Sequence, residues 1–254
     1  MTTLFISDLH LEAGRPEIGE QFLDFLDDEA ADAEALYILG DFFEYWVGDD
    51  DPDTYYASIK RSLRAFTDTG VPVYFMHGNR DFMIGERFAA ETGVTILPDP
   101  FAVELYGKSV LLSHGDALCT DDAEYQRMRA VTRNPEWQAM MLAKPLEERI
   151  AIAKQARTRS QERNATLREE IMDVNPDAVS RLIAEYGVEI LLHGHTHRPA
   201  IHNVEVDDRI AKRVVLGDWY DQGSVVRWDE DGVDLSPISR RAGRSENGSG
   251  NPAP

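Results

Sequence analysis

The sequence predicts an α/β fold, in which short buried strands alternate with amphipathic helices. Apolar runs of strand length occur in the first half of the chain at residues 4–6, 36–39, 71–76, 101–105 and 110–112. The segments between the first three runs carry apolar residues at helical spacing instead. This alternation is typical of parallel strands that are connected by helices packed on the sheet.

Two helices are predicted between the first three strands. Apolar side chains recur at intervals of three or four residues over 18–26, after Pro16, and again over 55–66, after Asp53. A proline in the first turn and an aspartate just before it are both common at helix starts. Each helix therefore has one apolar face, which we expect to pack on the sheet.

A long stretch without strand signals interrupts the alternation at about residues 121–168. The stretch is rich in arginine and in helix-forming residues, and we predict a helical insertion there. Between Tyr125 and Arg168 it contains ten bases and four acids, a net charge of +6. The whole chain carries −20, which leaves −26 on the remainder. The insertion is therefore opposite in charge to the body that it interrupts.

The α/β pattern returns after the insertion. Asn175 and Pro176 predict the start of a helix, Gly187 predicts its end, and a buried strand is expected at 188–192. Three further strand-like runs close the fold, at residues 200–206, 213–216 and 225–228.

Length and composition predict one large domain. The 254 residues suffice for a sizeable core, and we expect this domain over 1–239. A disordered tail is expected over 240–254, which is rich in glycine, serine, asparagine and proline. The net charge of −20 argues against binding of nucleic acid polymers through overall positive charge. Met1 leads directly into a strand and Cys119 is the single cysteine, so we expect a cytoplasmic protein without disulfides.

Polar side chains that can bind metals follow five of the predicted strands. The blocks are D-x-H at residues 8–10, G-D at 40–41, G-N-R-D at 78–81, H-G-D at 114–116 and H-G-H-x-H at 193–197. The carboxyl ends of strands gather at one edge in α/β folds, so these blocks are expected to meet. Asp8 and His10 stand two apart on a segment taken as extended, as do His195 and His197, so each pair is expected to chelate from one side.

Seven side chains in these blocks form the predicted metal site. They are Asp8, His10, Asp41, Asn79, His114, His195 and His197. Carboxylate, amide and imidazole groups together suit two divalent ions of intermediate hardness, such as Mn²⁺, better than a zinc–thiolate site. Asp41 is the candidate for a carboxylate shared by two ions, as in two-metal phosphoester hydrolases. Asp81 and Asp116 are expected to support histidines or the backbone.

The five blocks, in this order, resemble the signature of the calcineurin-like metallophosphoesterases. The resemblance implies a central β-sandwich flanked by helices. Longer runs at 38–51, 113–129 and 215–224 resemble the branch of this family that acts in Gram-negative lipid A biosynthesis. That branch implies Mn²⁺-dependent hydrolysis of the pyrophosphate of UDP-2,3-diacylglucosamine to UMP and 2,3-diacylglucosamine 1-phosphate. A hydroxide held by two metal ions would attack the α-phosphorus.

The resemblance also implies roles for individual residues. One ion would be held by Asp8, His10, Asp41 and His197, and the other by Asp41, Asn79, His114 and His195. Asn79, Arg80 and His195 would contact the substrate and act in catalysis. Arg80 would stabilise charge on the phosphoryl oxygens, since arginine does not readily donate a proton.

The insertion would form a helical lid over the metal site. Its substrate contacts would come from Asp122, Ser160, Asn164 and Leu167. The family usually has lysine at the last of these positions, so either Arg163 or Arg168 supplies the charge here or a phosphate contact is absent. The apolar side chains of the lid either line a groove for acyl chains or pack the lid onto the body.

The amphiphilic substrate implies peripheral contact with the cytoplasmic face of the inner membrane. Because the body is acidic, this contact is expected through the basic and apolar lid, with Arg149, Arg157 and Arg159 as candidates. Two other interpretations stay open from sequence alone, namely a nucleotide or phosphodiester hydrolase of broad specificity and a scaffold without catalysis. The presence of all seven ligand residues favours an enzyme.

Overall fold

The computed structural model describes residues 1–164, 171, 173–220 and 223–238, which contain eleven β-strands and seven α-helices. The strands are β1 (Thr3–Ile6), β2 (Ala35–Leu39), β3 (Val73–Met76), β4 (Thr95–Leu97), β5 (Phe101–Leu105), β6 (Lys108–Ser113), β7 (Ile190–His193), β8 (Ala200–Val206), β9 (Arg209–Val215), β10 (Ser224–Asp229) and β11 (Gly232–Pro237). The helices are α1 (Pro16–Asp28), α2 (Thr54–Thr67), α3 (Glu86–Thr92), α4 (Ala123–Thr132), α5 (Pro135–Leu142), α6 (Leu146–Asn164) and α7 (Pro176–Tyr186).

The strands form two sheets. The first has the order β11-β10-β1-β2-β3-β4, and the second has the order β5-β6-β7-β9-β8. Strands β1 to β4 are parallel, whereas β10 and β11 add to that sheet as an antiparallel pair. In the second sheet β6, β7 and β9 are parallel, and β5 and β8 are antiparallel edge strands. Each sheet thus has a parallel centre whose strands end at one edge.

The two sheets pack face to face around an apolar core. Phe5, Tyr37 and Leu39 of the first sheet share one buried cluster with Leu112 and Leu192 of the second. Successive side chains of a strand point to opposite faces, so the neighbours of these residues face outward. Both faces of the central strands are therefore buried, as expected for parallel strands.

Helices cover the outer face of each sheet. Ile6 of β1 lies in a buried cluster with Phe22 of α1 and Leu63 of α2. On the other side of the molecule, Leu191 of β7 lies in a cluster with Ile183 of α7. The layers therefore run helix, sheet, sheet, helix, which confirms the predicted β-sandwich flanked by helices.

Three short elements lack a sequence pattern that predicts them. Helix α3 has seven residues, β4 has three, and the six residues of β11 form a partly exposed edge strand. Helix α3 and β4 contain too few repeats of the hydrophobic period to be recognised, and β11 has only two apolar residues besides its terminal proline because it is partly exposed. The predicted tail over 240–254 lies outside the described residues.

Helices α4, α5 and α6, called the lid below, occupy the region predicted as a helical insertion. Residues 165–168 of that prediction lie outside the described part of the chain. The apolar side chains of the lid divide between two environments. Trp137, Met141 and Ile152 pack against the core of the body, whereas Val131, Met140 and Leu142 are exposed. Among the described residues, no helix is both long and apolar enough to cross a bilayer.

Replacement of a buried helix residue is expected to destabilise the fold much more than replacement of an exposed strand residue. Ile183 is fully buried, whereas Ile210 is 61% exposed. We expect Ile183→Ala to lower the free energy of unfolding by about 2–5 kcal/mol through lost burial and a residual cavity. Ile210→Ala should change it by less than about 1 kcal/mol. Urea denaturation followed by circular dichroism measures both, and equal effects would contradict the assigned core.

Candidate metal centre

The loops after β1 and β2 hold the first predicted ligands side by side. Beyond the ends of the two strands, the backbone N–H of Asp8 donates to the carbonyl of Gly40, and that of His10 donates to the carbonyl of Asp41, both at 3.0 Å. These hydrogen bonds extend the pairing of the parallel strands into the loops. Asp8 and His10 are thereby fixed next to Asp41.

The predicted ligands form two groups at this edge. Within each group the ligand atoms all lie within 4.8 Å of one another; the first group is Asp8, His10 and His197, and the second is Asp41, His114 and His195. Asn79 lies beside the second group, with its Oδ1 atom 3.0 Å from Nε2 of His114. All seven predicted ligands thus lie at one edge of the sandwich.

The prediction of extended backbone at Asp8, His10, His195 and His197 is wrong, and Asp41 shares their conformation. The φ angles are 57° at Asp8, 54° at His10, 52° at Asp41, 67° at His195 and 56° at His197, all in the left-handed region. His195 and His197 lie in different groups, so they do not form the predicted chelating pair. A side chain in the left-handed region costs about 1–3 kcal/mol, and such strain is concentrated at functional sites.

The surroundings of His114 fit a bound cation. Its Nδ1 lies 2.9 Å from the carbonyl oxygen of Leu39, which can only accept a hydrogen bond, so Nδ1 carries the hydrogen. Nε2 lies 3.0 Å from the amide oxygen of Asn79, so the two atoms face the same point. A cation at that point would be bound by both atoms, while the hydrogen bond of Nδ1 fixes the orientation of the ring.

The first group also fits a cation. The Oδ1 atom of Asp8 is buried and makes no hydrogen bond within the described residues, whereas Oδ2 accepts from the hydroxyl of Ser7 and the backbone of His195. Oδ1 lies 3.3 Å from Nε2 of His197, which in turn lies 3.3 Å from Nε2 of His10. One carboxylate oxygen and two imidazole nitrogens therefore converge, a donor set that suits divalent transition metals.

The pKa values of these groups follow from burial and from their neighbours. Burial opposes ionisation of Asp8, yet the adjacent His197 holds the pKa of the Asp8 carboxyl well below its usual range. Burial lowers the pKa of His195 to about 3, so its ring is neutral at pH 7 and can offer a lone pair. Burial raises the pKa of Asp41, against the attraction of His114.

Two glycines allow the backbone to approach the ligand carboxylates closely. A Cβ atom at Gly78 would lie 2.1 Å from Oδ1 of Asp41, and one at Gly194 would lie 2.3 Å from Oδ2 of Asp8. These distances leave no room for a side chain. The glycines of the G-N-R-D and H-G-H-x-H blocks therefore leave the space that the carboxylates of Asp41 and Asp8 occupy.

Of the two other aspartates of the blocks, Asp81 contacts the backbone, as expected, whereas Asp116 contacts arginines of the lid. The carboxylate of Asp81 is buried and accepts the backbone N–H groups of Gly78 and Phe42, both at 2.7 Å. The carboxylate of Asp116 is equally buried and accepts from Nε of Arg129 at 2.8 Å. Asp81 therefore connects the loops after β2 and β3, and Asp116 connects the loop after β6 to α4.

Sequence reasoning missed several residues that touch the ligands. The carboxylate of Asp218 lies 3.0 Å from Nδ1 of His197, and the ring of Tyr220 stacks on His10 with centroids 5.2 Å apart. Glu44 lies 3.6 Å from the Nδ1 atom of His10. All three belong to longer runs that were recognised as distinctive, but no metal-binding motif distinguishes them within those runs.

The predicted substrate contacts of the lid are partly engaged with other residues. Asp122 caps α4 and accepts two hydrogen bonds from Arg163, at 2.6 and 2.7 Å. Arg163, one of the two candidates for the missing lysine charge, is therefore paired within the lid. Ser160 lies on α6 and is half-buried. Three further predictions fall outside the described residues, namely the side chain of Asn164, Leu167 and Arg168.

The sequence matches the family described as calcineurin-like phosphoesterase over residues 1–199, a span that contains all five blocks. The chain therefore belongs to the calcineurin-like phosphoesterase family.

Curated relatives define the position of the chain within this family. UDP-2,3-diacylglucosamine hydrolase of Xanthomonas oryzae pv. oryzae is 54% identical, and the alignment covers 94% of this chain and 100% of that protein. The protein of the same name from Stenotrophomonas maltophilia is 51% identical with the same coverage. A solved archaeal phosphodiesterase has a TM-score of 0.48 and 16% identity, over 94% of this chain and 99% of that chain. By its curated relatives, the chain groups with the UDP-2,3-diacylglucosamine hydrolases.

A methyl group at Gly78 is expected to weaken metal binding, because it would overlap the carboxylate of Asp41. We expect Gly78→Ala to reduce Mn²⁺ affinity by about tenfold or more, a loss that is typical when a residue supporting a metal ligand is changed. Gly14→Ala is the matched control, since the nearest atom to its new methyl group would be 3.7 Å away. Calorimetric titration of the two apoproteins with Mn²⁺ measures the effect. Wild-type affinity in Gly78→Ala would contradict the tight packing at Asp41.

Proposed function

We propose that this protein is a metal-dependent hydrolase that cleaves the pyrophosphate of UDP-2,3-diacylglucosamine to UMP and 2,3-diacylglucosamine 1-phosphate. The observation that carries the proposal is the pair of ligand groups at the edge of the sandwich, each with two buried members and one half-buried histidine. Two neighbouring sets of carboxylate and imidazole donors are typical of phosphoester hydrolysis. The choice of substrate is supported by the names of relatives that match over 94% of the chain.

The proposed cofactor is a pair of Mn²⁺ ions. Asp8, His10 and His197 would hold one ion, and Asp41, Asn79, His114 and His195 the other, with Asp41 shared. The mixed oxygen and nitrogen donors suit an ion of intermediate hardness. When bound, two such ions would lower the pKa of a water molecule between them and neutralise charge on the pyrophosphate oxygens.

Arg80 is the proposed stabiliser of the reacting phosphate. Its backbone N–H donates to Oδ1 of Asp41 at 2.9 Å, and its Nε lies 3.5 Å from Oδ2 of the same residue. Its Nη1 forms a close ion pair with Glu44. These contacts hold a permanently charged group beside the ligands. Arg80 can therefore stabilise negative charge as the bond between phosphorus and oxygen breaks, without donating a proton.

Four arginines of the lid are paired with acids of the body. The pairs are Arg129 and Arg133 with Asp116, Arg149 with Asp50, and Arg157 with Glu44. The expectation that Arg149 contacts a membrane is wrong, because its side chain is only 3% exposed and donates to Asp50 and to the carbonyl of Val47. Arg159 is exposed and has no ion pair within the described residues, so it stays available to an anionic surface.

The exposed apolar side chains of the lid are the proposed contact with the membrane that carries the substrate. Met128, Val131, Met140 and Leu142 are each 45–55% exposed, on α4 and α5. Exposed apolar side chains on the same insertion as exposed basic residues suit an interface with anionic lipid. The protein would then act as a peripheral enzyme at the cytoplasmic face of the inner membrane.

Turnover of the proposed substrate is expected to depend on both the metal and Asp41. Chelator-treated protein reloaded with Mn²⁺ should release UMP from UDP-2,3-diacylglucosamine, whereas the apoprotein should not. Asp41→Asn should lower kcat by about a hundredfold or more, since a carboxylate ligand is lost. Asp68→Asn, on the surface, is the control and should have no effect. Equal efficiency on UDP-glucose or bis(p-nitrophenyl) phosphate would instead indicate a hydrolase of broad specificity.

Removal of exposed apolar groups from the lid is expected to weaken membrane binding. The variant Val131→Ser, Met140→Ser, Leu142→Ser should bind vesicles of phosphatidylethanolamine and phosphatidylglycerol about a hundredfold more weakly, because each of the three apolar side chains contributes about 1 kcal/mol when it is buried in the membrane. Ile201→Ser, Ile210→Ser removes equally exposed groups from β8 and β9 and serves as the control. Cosedimentation measures both, and equal loss in the two variants would exclude the lid as the specific contact.

A further inference from the structure

Glu44 is a buried acid at the centre of a cluster that no sequence motif indicates. It follows Asp41 by three residues in the loop after β2, and its side chain is only 10% exposed. Groups from three other segments of the chain reach its carboxylate. They are His10 from the loop after β1, Arg80 from the loop after β3, and Arg157 from α6 of the lid.

The two carboxylate oxygens of Glu44 have different partners. Oε1 accepts a close hydrogen bond from Nε of Arg157. Oε2 accepts a close hydrogen bond from Nη1 of Arg80 and lies 3.6 Å from Nδ1 of His10. One oxygen is therefore directed to the lid, and the other to the metal centre.

The contact with His10 concerns the nitrogen that faces away from the other ligands. Nε2 of His10 lies 3.3 Å from Nε2 of His197, whereas Nδ1 is buried and makes no hydrogen bond within the described residues. Histidines that bind metals generally donate the hydrogen on the second ring nitrogen to a carboxylate or carbonyl, which fixes the tautomer and the orientation of the ring. Glu44 supplies a carboxylate within ion-pair range of that nitrogen.

Glu44 also contacts Arg80, the residue proposed to stabilise the reacting phosphate. The guanidinium of Arg80 lies between two carboxylates, with Nη1 at Glu44 and Nε 3.5 Å from Asp41. Loss of the charge on Glu44 would leave Asp41 as the acid nearest to Arg80. Arg80 would then compete with a metal ion for Asp41, so Glu44 affects both metal binding and the position of the arginine.

We infer that Glu44 is a positioning residue that couples helix α6 to the metal centre. The inference rests on the proposed function and specifies how the lid acts in it. Arg157 holds one oxygen of Glu44, and the other oxygen orients Arg80 and His10. A displacement of α6 is thereby transmitted to the phosphate-binding arginine through a single carboxylate. The lid thus contributes to the arrangement of the catalytic groups.

Substitutions at Glu44, Arg157 and Glu148 test this coupling. Glu44→Gln keeps the size of the side chain and removes its charge, whereas Arg157→Gln removes only the partner on α6. Glu148→Gln is the matched control, since this exposed acid of α6 pairs only with Lys144 among the described residues. For each variant we would measure Mn²⁺ affinity of the apoprotein by calorimetry, melting temperature, and kcat/KM for UDP-2,3-diacylglucosamine.

We expect Glu44→Gln to weaken Mn²⁺ binding by about tenfold, as for other partners of metal-binding histidines. Arg157→Gln should leave Mn²⁺ affinity within about twofold, because the contacts of Glu44 with His10 and Arg80 persist, and should lower kcat/KM by about tenfold. Arg157→Lys, which restores the charge, should recover part of that loss. Glu148→Gln should match the wild type in all measurements.

The outcomes separate this inference from the proposed function. Wild-type Mn²⁺ affinity in Glu44→Gln, or wild-type kcat/KM in Arg157→Gln, would overturn the coupling even if the enzyme is active. If the wild type released no UMP while Glu44→Gln still bound Mn²⁺ more weakly, the proposed function would fail and the contact of Glu44 with the metal centre would stand. Should Glu44→Gln not fold, the comparison of Arg157→Gln with Arg157→Lys decides the role of the lid contact.

Discussion

Burial of negative charge where the two sheets meet is the constraint on which the rest of this structure depends. The carboxylates of Asp8, Asp81 and Asp116 are fully buried, and those of Asp41 and Glu44 are nearly so. Removal of a carboxylate from water costs several kcal/mol unless hydrogen bonds or opposite charges replace the lost hydration. The fold therefore has to supply compensation for each of these groups at the one edge where it also has to keep space for metal ions and substrate.

The lid supplies much of this compensation. Arg129 and Arg133 pair with Asp116, and Arg157 pairs with Glu44. The reversal of charge along the sequence thus has a structural cause, because the basic insertion neutralises acids that the body buries. Backbone amides compensate others, such as those that bind Asp81. In the first ligand group, Oδ1 of Asp8 makes no hydrogen bond within the described residues, and a divalent ion fits there. Electrostatic balance therefore relates the arginines of the lid to the buried acids around the metal centre.

The sandwich and the gathering of the seven ligands could be predicted because both depend on local patterns. Buried runs of strand length indicate a parallel sheet, and polar blocks directly after those runs meet at its edge. The roles of Glu44 and Asp218 could not be predicted, since they depend on partners brought close by tertiary packing; Arg157 is 113 residues from Glu44 along the chain. The spacing of His195 and His197 was misleading for a related reason. Two-residue spacing implies one side only if the backbone is extended, and here it is left-handed.

The left-handed backbone of five ligands has a consequence for how this protein can evolve. In that conformation glycine is free of strain, whereas aspartate and histidine, although among the side chains best tolerated there, are held at a cost. Substitutions that relax the backbone at Asp8, His10 or Asp41 would therefore favour the folded apoprotein while removing a metal ligand. At these positions selection for stability and selection for chemistry act in opposite directions. A lineage released from the need for catalysis would be expected to lose its ligands first, and to become more stable as it did so.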